Sequence, residues 1–223
     1  MPRDNLTKPY LILVEGPGDA AFFRHLIATR GIPEEYDVLH PSDAGATGSG
    51  NSRFGEALDG FALIPGYDDL RGILIVADND DDSQASFANV QAQIRRTAAQ
   101  HAVPPAPLEA TKASLPIAVM MIPWTDEAGS LETLCASAAE AAYPLQAACA
   151  EEFQSCTGLD VWPASKRAKV MLRSIISAVH RRNPDLSLSF VWDDCPDVVP
   201  LRHTCFDRIA DYLLTFRDAV RSM

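Results

Sequence analysis

Carboxylate side chains follow two apolar segments that have the composition of buried strands. Glu15 closes the run LILVEG, and Asp78 and Asp80 follow ILIV in the run ILIVADNDDD. The carboxyl ends of parallel strands meet at one edge of an open α/β sheet, where ligands bind. We therefore expect these three side chains to converge, although they lie far apart in the chain. Converging carboxylates suit a magnesium ion, whose remaining positions are filled by water and substrate phosphate.

Other acidic residues in these runs have structural explanations. Asp favours turns, which accounts for Asp81 and Asp82 in the loop after the second run. Asp19 falls in the first turn of a predicted helix, where a carboxylate caps exposed N–H groups and complements the helix dipole. For Asp78 and Asp80 a cation is the better explanation, because like charges about 4 Å apart cost about 1 kcal/mol per pair even in water.

A further acidic residue, Glu132, follows a third apolar segment, in the run GSLETL. Ser130 is placed to cap a helix here, and Glu132 would then lie in the first turn, where acidic residues are favourable. Taken alone, Glu132 therefore has a structural explanation. Its position after a strand of the same sheet makes it a further candidate for the metal site.

The alternation of strand and helix patterns predicts an α/β fold, with an open, mainly parallel sheet flanked by helices and a C-terminal helical extension. We assign residues 1–140 to the α/β domain and 141–223 to the extension, packed on the same core. Strands are predicted at 10–14, 36–40, 73–77 and 117–122, and helices at 18–30, 54–64, 83–100, 130–141, 144–157, 166–182 and 204–221. Loops are predicted at 42–52, 157–165 and 183–200. The first of them is rich in Gly and Ser, and we interpret it as a flexible rim.

Composition is that of a globular protein, with 47% hydrophobic and 22% charged residues in 223. No apolar run approaches the roughly 20 residues that cross a bilayer, and the N-terminal residues lack the apolar core of a signal peptide. We expect a cytoplasmic protein that does not contact membranes. The five cysteines form no CxxC pair, so we expect buried thiols rather than disulfides or a zinc site.

The formal net charge of −11 argues against a protein that coats nucleic acid, since such binding depends on clustered Lys and Arg. Six of the nineteen basic residues nevertheless fall between positions 166 and 182. Charge pattern alone favours the solvated face of an amphipathic helix for this segment. A face that contacts phosphates is the alternative.

The motifs resemble the TOPRIM domain, which is shared by topoisomerases, primases, ribosomal RNA maturation ribonucleases and nucleases of the overcoming-lysogenization-defect group. VEG at 14–16 is similar to the glutamate-glycine motif after the first strand, and DND at 78–80 to the DxD motif after the third. GSLE at 129–132 and SKRAKV at 165–170 resemble a smaller uncharacterised family of stand-alone TOPRIM-like proteins. The resemblance implies metal-site roles for Glu15, Asp78 and Asp80, with Glu132 as a further candidate, and a role near the metals for Lys166 or Lys169.

The function implied by this resemblance is a Mg²⁺- or Mn²⁺-dependent nucleic-acid phosphodiesterase, with the choice between DNA and RNA open. The domains that topoisomerases and primases add are not found in 223 residues. A separate ATPase subunit, which some relatives use, is a candidate partner, and the oligomeric state stays open. A response-regulator receiver domain is excluded, because two acidic residues after the first strand and a lysine after a late strand are missing. A Walker-type nucleotide site is excluded, because there is no GK[ST] motif. The alternative is a TOPRIM-like module that binds nucleic acid or a protein without cleavage.

Overall fold

Four short apolar runs form the strands of one sheet in the computed structural model, which describes residues 4–46 and 53–222. The strands are β1 (Tyr10–Leu13), β2 (Tyr36–Leu39), β3 (Gly72–Asp78) and β4 (Ile117–Ile122). Their order across the sheet is β2-β1-β3-β4, and every neighbouring pair is parallel. The predicted α/β class is therefore confirmed.

Eight α-helices flank this sheet in the described part of the chain. They are α1 (Pro17–Arg30), α2 (Phe54–Phe61), α3 (Ser83–Arg95), α4 (Leu131–Ala142), α5 (Pro144–Cys156), α6 (Ala164–Val179), α7 (Leu188–Asp194) and α8 (Asp207–Arg221). Helix α7 lies in the segment 183–200, for which we predicted a loop, and that prediction is wrong. The buried residues Leu188, Val191 and Trp192 supply the core contacts that stabilise this short helix.

Alternate residues of each strand point to opposite faces of the sheet and enter two separate cores. Tyr10 and Ile12 of β1 pack in the larger core, whereas Leu11 and Leu13 pack in the smaller one. Helices α1, α4, α6 and α8 contribute to the larger core, and α2 and α3 to the smaller core. Both faces of the sheet are covered, as continuous apolar strands require.

The connections that follow β1 and β3 cross opposite faces of the sheet. Helix α1, which follows β1, packs in the larger core, and α3, which follows β3, packs in the smaller one. Since β1 and β3 are neighbours, the chain reverses its direction of winding between them. A crevice outside the carboxyl ends of the strands is expected at such a topological switch point.

The C-terminal helices pack on the same larger core as the sheet. Leu213 and Phe216 of α8 are almost fully buried there. The Arg30 guanidinium, at the end of α1, donates to the carbonyl oxygens of Leu201 (2.7 Å) and His203 (2.8 Å). The boundary at residue 140 between domain and extension stays a prediction.

The cysteines differ in their exposure to solvent. All five are free, but Cys135 is the one fully buried thiol, whereas Cys149 and Cys156 are exposed. The expectation of buried thiols therefore holds for Cys135 and is wrong for those two. Residues 42–44 of the predicted Gly/Ser-rich loop lie in a 3₁₀ helix (Pro41–Ala44), and residues 47–52 lie outside the described residues. Throughout the described ranges, every helix is too short or too polar to span a bilayer.

Candidate metal centre

Glu15 and Asp78 meet at the switch point, directly beyond the ends of β1 and β3. Glu15 Oε1 accepts a hydrogen bond from the Asp78 backbone N–H at 2.8 Å. The register of the strands produces this contact, since Leu13 of β1 pairs with Ile75 of β3 and the chains run on side by side. Two of the three predicted convergent carboxylates are thus neighbours across 63 residues.

The carboxylate of Asp78 also fixes the start of α4. Asp78 Oδ1 accepts from the Leu131 N–H at 2.9 Å, and Leu131 is the first residue of that helix. A second link joins the same two segments, because the Gly129 N–H donates to the Asp80 carbonyl oxygen at 2.7 Å. Gly129 has a φ of 137°, and an added Cβ would lie 2.7 Å from Thr133 Oγ1. Glycine therefore allows this close approach.

Glu132 and Lys169 lie on the other side of the cluster. The Glu132 carboxylate accepts from Ser130 Oγ at 2.9 Å, and its Oε1 lies 3.8 Å from Lys169 Nζ on α6. The start of α6 is also linked to the acidic loop, since Ser165 Oγ donates to Asp81 Oδ1 at 3.4 Å. The structure thus brings Lys169 to the cluster. Lys166 is exposed and has no ion pair among the described residues.

Asp19 belongs to the same cluster. Burial, followed by the charge of Glu132, raises the pKa of Asp19 to about 6. The sequence analysis gave Asp19 only a capping role in the first turn of α1. Its spacing of four residues from Glu15, at a strand-to-helix junction, is the signal that indicates a shared site.

The carboxylates of this cluster disfavour one another's charge. Burial raises the pKa of Glu15 to about 7, and the charges of Asp19 and Asp80 add to this effect. The pKa of Asp78 is raised well above its usual value by burial and then by the charges of Glu15, Asp19 and Glu132. The nearby Lys169 ammonium lowers the pKa of Glu15 and Asp19, but burial outweighs it. The cluster therefore has less positive charge than its carboxylates require.

Asp80 and Asp82, in the acidic loop after β3, lie outside the centre of the cluster. Asp80 is exposed and has a left-handed backbone conformation with a φ of 48°, but its charge still acts on Glu15. Asp82 caps α3, since its Oδ1 accepts from the N–H groups of Gln84 and Ala85, both at 3.0 Å. Asp80 therefore lies at the rim of the cluster, and Asp82 has a structural role.

Asn79 holds the loop between β4 and α4 against the end of β3. Its side chain is fully buried and donates to the carbonyl oxygens of Trp124 (2.6 Å) and Glu127 (2.7 Å). This loop leads directly to Gly129 and to α4, which carries Glu132. The sequence analysis assigned no role to Asn79. An amide between two aspartates at a strand end was the available signal.

The oxygen donors of the cluster are of the chemical type that a hard divalent cation prefers. Carboxylate oxygens are the ligands that Mg²⁺ and Mn²⁺ prefer, and a cation would compensate the charge that raises the pKa values of Glu15, Asp19 and Asp78. A carboxylate has two oxygens, so the backbone hydrogen bonds of Glu15 and Asp78 use one of the two on each. Within residues 4–46 and 53–222, no group of three or more His, Cys, Asp or Glu side chains is arranged so that it could hold a metal ion.

The fold and the cluster define a class of open α/β proteins with partly buried acidic residues at the switch point of a parallel sheet. The chain matches a family described as "Protein of unknown function (DUF3226)" over residues 9–189. Because this match covers most of the chain, the protein belongs to that family. No curated protein and no solved structure matched the chain.

Proposed function

We propose that this protein is a divalent-metal-dependent phosphodiesterase that acts on nucleic acid. One observation carries the proposal: Glu15, Asp19 and Asp78 are gathered at the switch point with raised pKa values. Like charges that are partly removed from water oppose folding unless a ligand compensates them. Perturbed carboxylates in a cleft are typical of functional sites.

Glu15 and Asp78 would hold the cation, with Asp19 and Glu132 beside them and Asp80 at the rim. A magnesium or manganese ion bound there supplies Lewis-acid chemistry, which orients a phosphodiester and lowers the pKa of a water ligand. Glu15 lies in the short connection between β1 and α1, Asp78 at the end of β3, and Asp19 and Glu132 in the first turns of α1 and α4. Rigid elements of this kind hold a site more precisely than long loops do.

The side chains of this chain have further roles in the proposed reaction. Lys169 lies 3.8 Å from Glu132 and is half-exposed, so its ammonium group can contact the non-bridging oxygens of a phosphate at the cluster. Such a cation stabilises the negative charge that develops in the transition state. Without a metal, burial raises the pKa of Glu15 to about 7, and a cation bound to Glu15 would lower it again. Proton transfer by Glu15 near neutral pH is therefore the alternative to its role as a ligand.

Nucleic acid is the substrate class that the TOPRIM resemblance of VEG (14–16) and DND (78–80) supports. The relation to TOPRIM proteins is part of this proposal. A non-catalytic binding module is the second candidate, and the hydrogen bonds of Glu15 and Asp78 to backbone N–H groups favour it. In such a module, the Glu15 bond would join the ends of β1 and β3, and the Asp78 bond would join β3 to α4, without any catalytic role.

A cleavage assay separates these two functions. Purified protein is incubated with supercoiled plasmid, single-stranded DNA and structured RNA, in Mn²⁺ and in EDTA. We expect Mn²⁺-dependent cleavage that falls by about 100-fold or more in Glu15→Gln and Asp78→Asn, and by about 100-fold in Lys169→Met.

The matched control is Asp82→Asn, which makes the same chemical change in the same loop. Asn caps a helix about as well as Asp, so α3 is retained and cleavage should be unchanged. Cleavage that survives in Glu15→Gln and Asp78→Asn would place the reaction elsewhere. Binding of nucleic acid without cleavage by the wild-type protein would support the binding module.

A further inference from the structure

Trp162 is a large aromatic residue that the fold leaves in solvent. Its exposed fraction is 45%, and that of the preceding Val161 is 86%, whereas Trp192 is 4% exposed. Tryptophan is highly buried on average. Trp162 lies between a 3₁₀ helix (Leu159–Val161) and α6, in a segment to which the proposed reaction assigns no role.

Trp162 lies three residues before a contact between α6 and the acidic loop. Ser165 Oγ donates to the Asp81 carboxylate at 3.4 Å. Three residues of chain span at most about 11 Å, so the Trp162 backbone lies within that distance of Ser165. Asp81 directly follows Asp80, whose charge acts on Glu15. The segment that carries Trp162 is therefore joined to the acidic loop of the site.

Basic side chains continue from this position along α6. Lys166, Lys169 and Arg173 are spaced by three and four residues, so they lie along one side of the helix, and all three are exposed. Their Cα atoms span about 10 Å at a rise of 1.5 Å per residue. Lys169, in the middle, is the residue that reaches Glu132. In a chain with a net charge of −11, this basic stripe is a local site of complementarity to phosphate.

We propose that Trp162 is a stacking platform for an unpaired base, and that the site takes single-stranded nucleic acid. The inference rests on the proposed function and specifies its substrate class. A strand whose phosphates follow Lys166, Lys169 and Arg173 would place a neighbouring base on the indole ring. Combined basic grooves and aromatic platforms bind single strands in this way. In a duplex the bases are stacked on one another, so the indole has no base face to contact.

A second copy of the chain is the competing occupant of this surface. Trp162 and Val161 are exposed, and so are Leu145 and Phe153 of the neighbouring α5. An apolar contact between copies would use these side chains without involving the basic stripe. Trp162 is close in the chain both to the Ser165–Asp81 contact and to the basic stripe, and this favours nucleic acid.

The test is binding of fluorescein-labelled oligonucleotides, measured by anisotropy in Mn²⁺ with full-length protein that carries Asp78→Asn. The ligands are a 12-nucleotide thymidine strand and a duplex of equal length. Adding Trp162→Ala should weaken binding of the single strand by about tenfold, which is within the contribution of one stacked base. Binding of the duplex should be weak and should change by less than twofold. Trp162→Phe should restore most of the affinity.

Phe153→Ala is the matched control, since it removes an equally exposed aromatic ring (50%) from the adjacent helix. It should leave binding of the single strand unchanged. Equal losses for both ligands, no loss, or no binding of the single strand would overturn the inference. A change in the oligomeric state of Trp162→Ala, measured by light scattering, with unchanged oligonucleotide binding would assign the surface to a second copy.

The two proposals fail separately. If Trp162-dependent binding of the single strand is found but the wild-type protein cleaves nothing, the phosphodiesterase proposal is wrong and the stacking platform stands. If the wild-type protein cleaves both ligands equally, and Trp162→Ala does the same, the phosphodiesterase stands and the platform is wrong.

Discussion

At the scale of single residues, the main feature is a set of partly buried carboxylates whose charged forms are disfavoured in the metal-free fold. Glu15 and Asp19 have pKa values of about 7 and 6, above the usual range near 4. The folded state therefore binds more protons than the unfolded state between about pH 4 and 7. Stability contributed by these groups is greatest at the acidic end and falls as the pH rises through this window.

Asp78→Asn should make the metal-free protein more stable at pH 8 while it abolishes activity. The amide keeps an oxygen for the Leu131 N–H but removes one negative charge from the cluster. We expect a gain in the free energy of unfolding, since burial and the neighbouring carboxylates disfavour the charged form of Asp78 in the folded state. Urea unfolding in EDTA at pH 5, 6.5 and 8 measures the difference in the free energy of unfolding between this variant and the wild-type protein.

The gain should shrink towards pH 5, where Glu15 and Asp19 are mostly protonated. Asp82→Asn, outside the cluster, is the control and should show the pH dependence of the wild-type protein. Parallel curves for the wild-type protein and Asp78→Asn would mean that the carboxylates do not interact as described.

The residues of the candidate site could be predicted only in part. Glu15 and Asp78 were identified because apolar runs end on them, and the structure makes them neighbours. Asp19 and Asn79 were not, because their contacts depend on how α1 and the loop after β4 fold back towards β3. The sequence analysis left open which lysine reaches the site. That depends on the rotation of α6, which places Lys169 rather than Lys166 beside Glu132.

At the scale of elements, the junction of β3 with the loop after β4 holds the site together. Asn79 is fully buried there and donates to two carbonyl oxygens of that loop, those of Trp124 and Glu127. A hydrogen bond of this kind contributes about 0.5–1.5 kcal/mol to stability. The Asn79 side chain therefore acts together with the Gly129–Asp80 and Leu131–Asp78 hydrogen bonds to hold the loop that leads to Glu132.

Asn79→Ala should lower the free energy of unfolding by about 1–3 kcal/mol, because two hydrogen bonds are lost and each contributes about 0.5–1.5 kcal/mol. Asn89→Ala is the matched control, since Asn89 is exposed on α3 and its side-chain oxygen accepts from Gln93 Nε2 at 2.8 Å. Its effect should stay within about 0.5 kcal/mol. Urea unfolding measures both. Equal effects of the two substitutions would remove the special role of Asn79.

Element positions followed from sequence where the apolar pattern was continuous. The strand predicted at 117–122 is β4 with the same bounds, and the predicted helix at 144–157 is α5 to within one residue. Helix α7 was missed because seven residues between Pro184 and Pro196 give too short a pattern to separate a helix from a loop. Its stability comes from tertiary burial, as is usual for short helices.

At the scale of the whole molecule, the larger core joins the sheet to the C-terminal helices. Leu213 of α8 is fully buried in that core, together with Tyr10 and Ile12 of β1. Ion pairing of Arg30 with Asp207 at 2.9 Å adds a link between α1 and the start of α8. The C-terminal extension should therefore unfold together with the sheet.

Leu213→Ala should lower the free energy of unfolding by about 2–5 kcal/mol, as expected for a large-to-small change in a core. The neighbouring Leu214, which is 36% exposed, provides the control Leu214→Ala with a much smaller effect. Far-ultraviolet circular dichroism and tryptophan fluorescence should report one shared transition in urea. A separate early transition in Leu213→Ala would show that residues 141–223 unfold independently of the sheet.

Binding of Mn²⁺, measured by the electron paramagnetic resonance signal of the free ion, tests the central claim most directly. At pH 8 the wild-type protein and Asp82→Asn should remove Mn²⁺ from solution with equal affinity. Asp78→Asn should bind it at least tenfold more weakly, because a carboxylate ligand is lost. If the wild-type protein leaves Mn²⁺ free, or if Asp78→Asn binds it as tightly as the wild-type protein does, Glu15, Asp19 and Asp78 do not form a metal site.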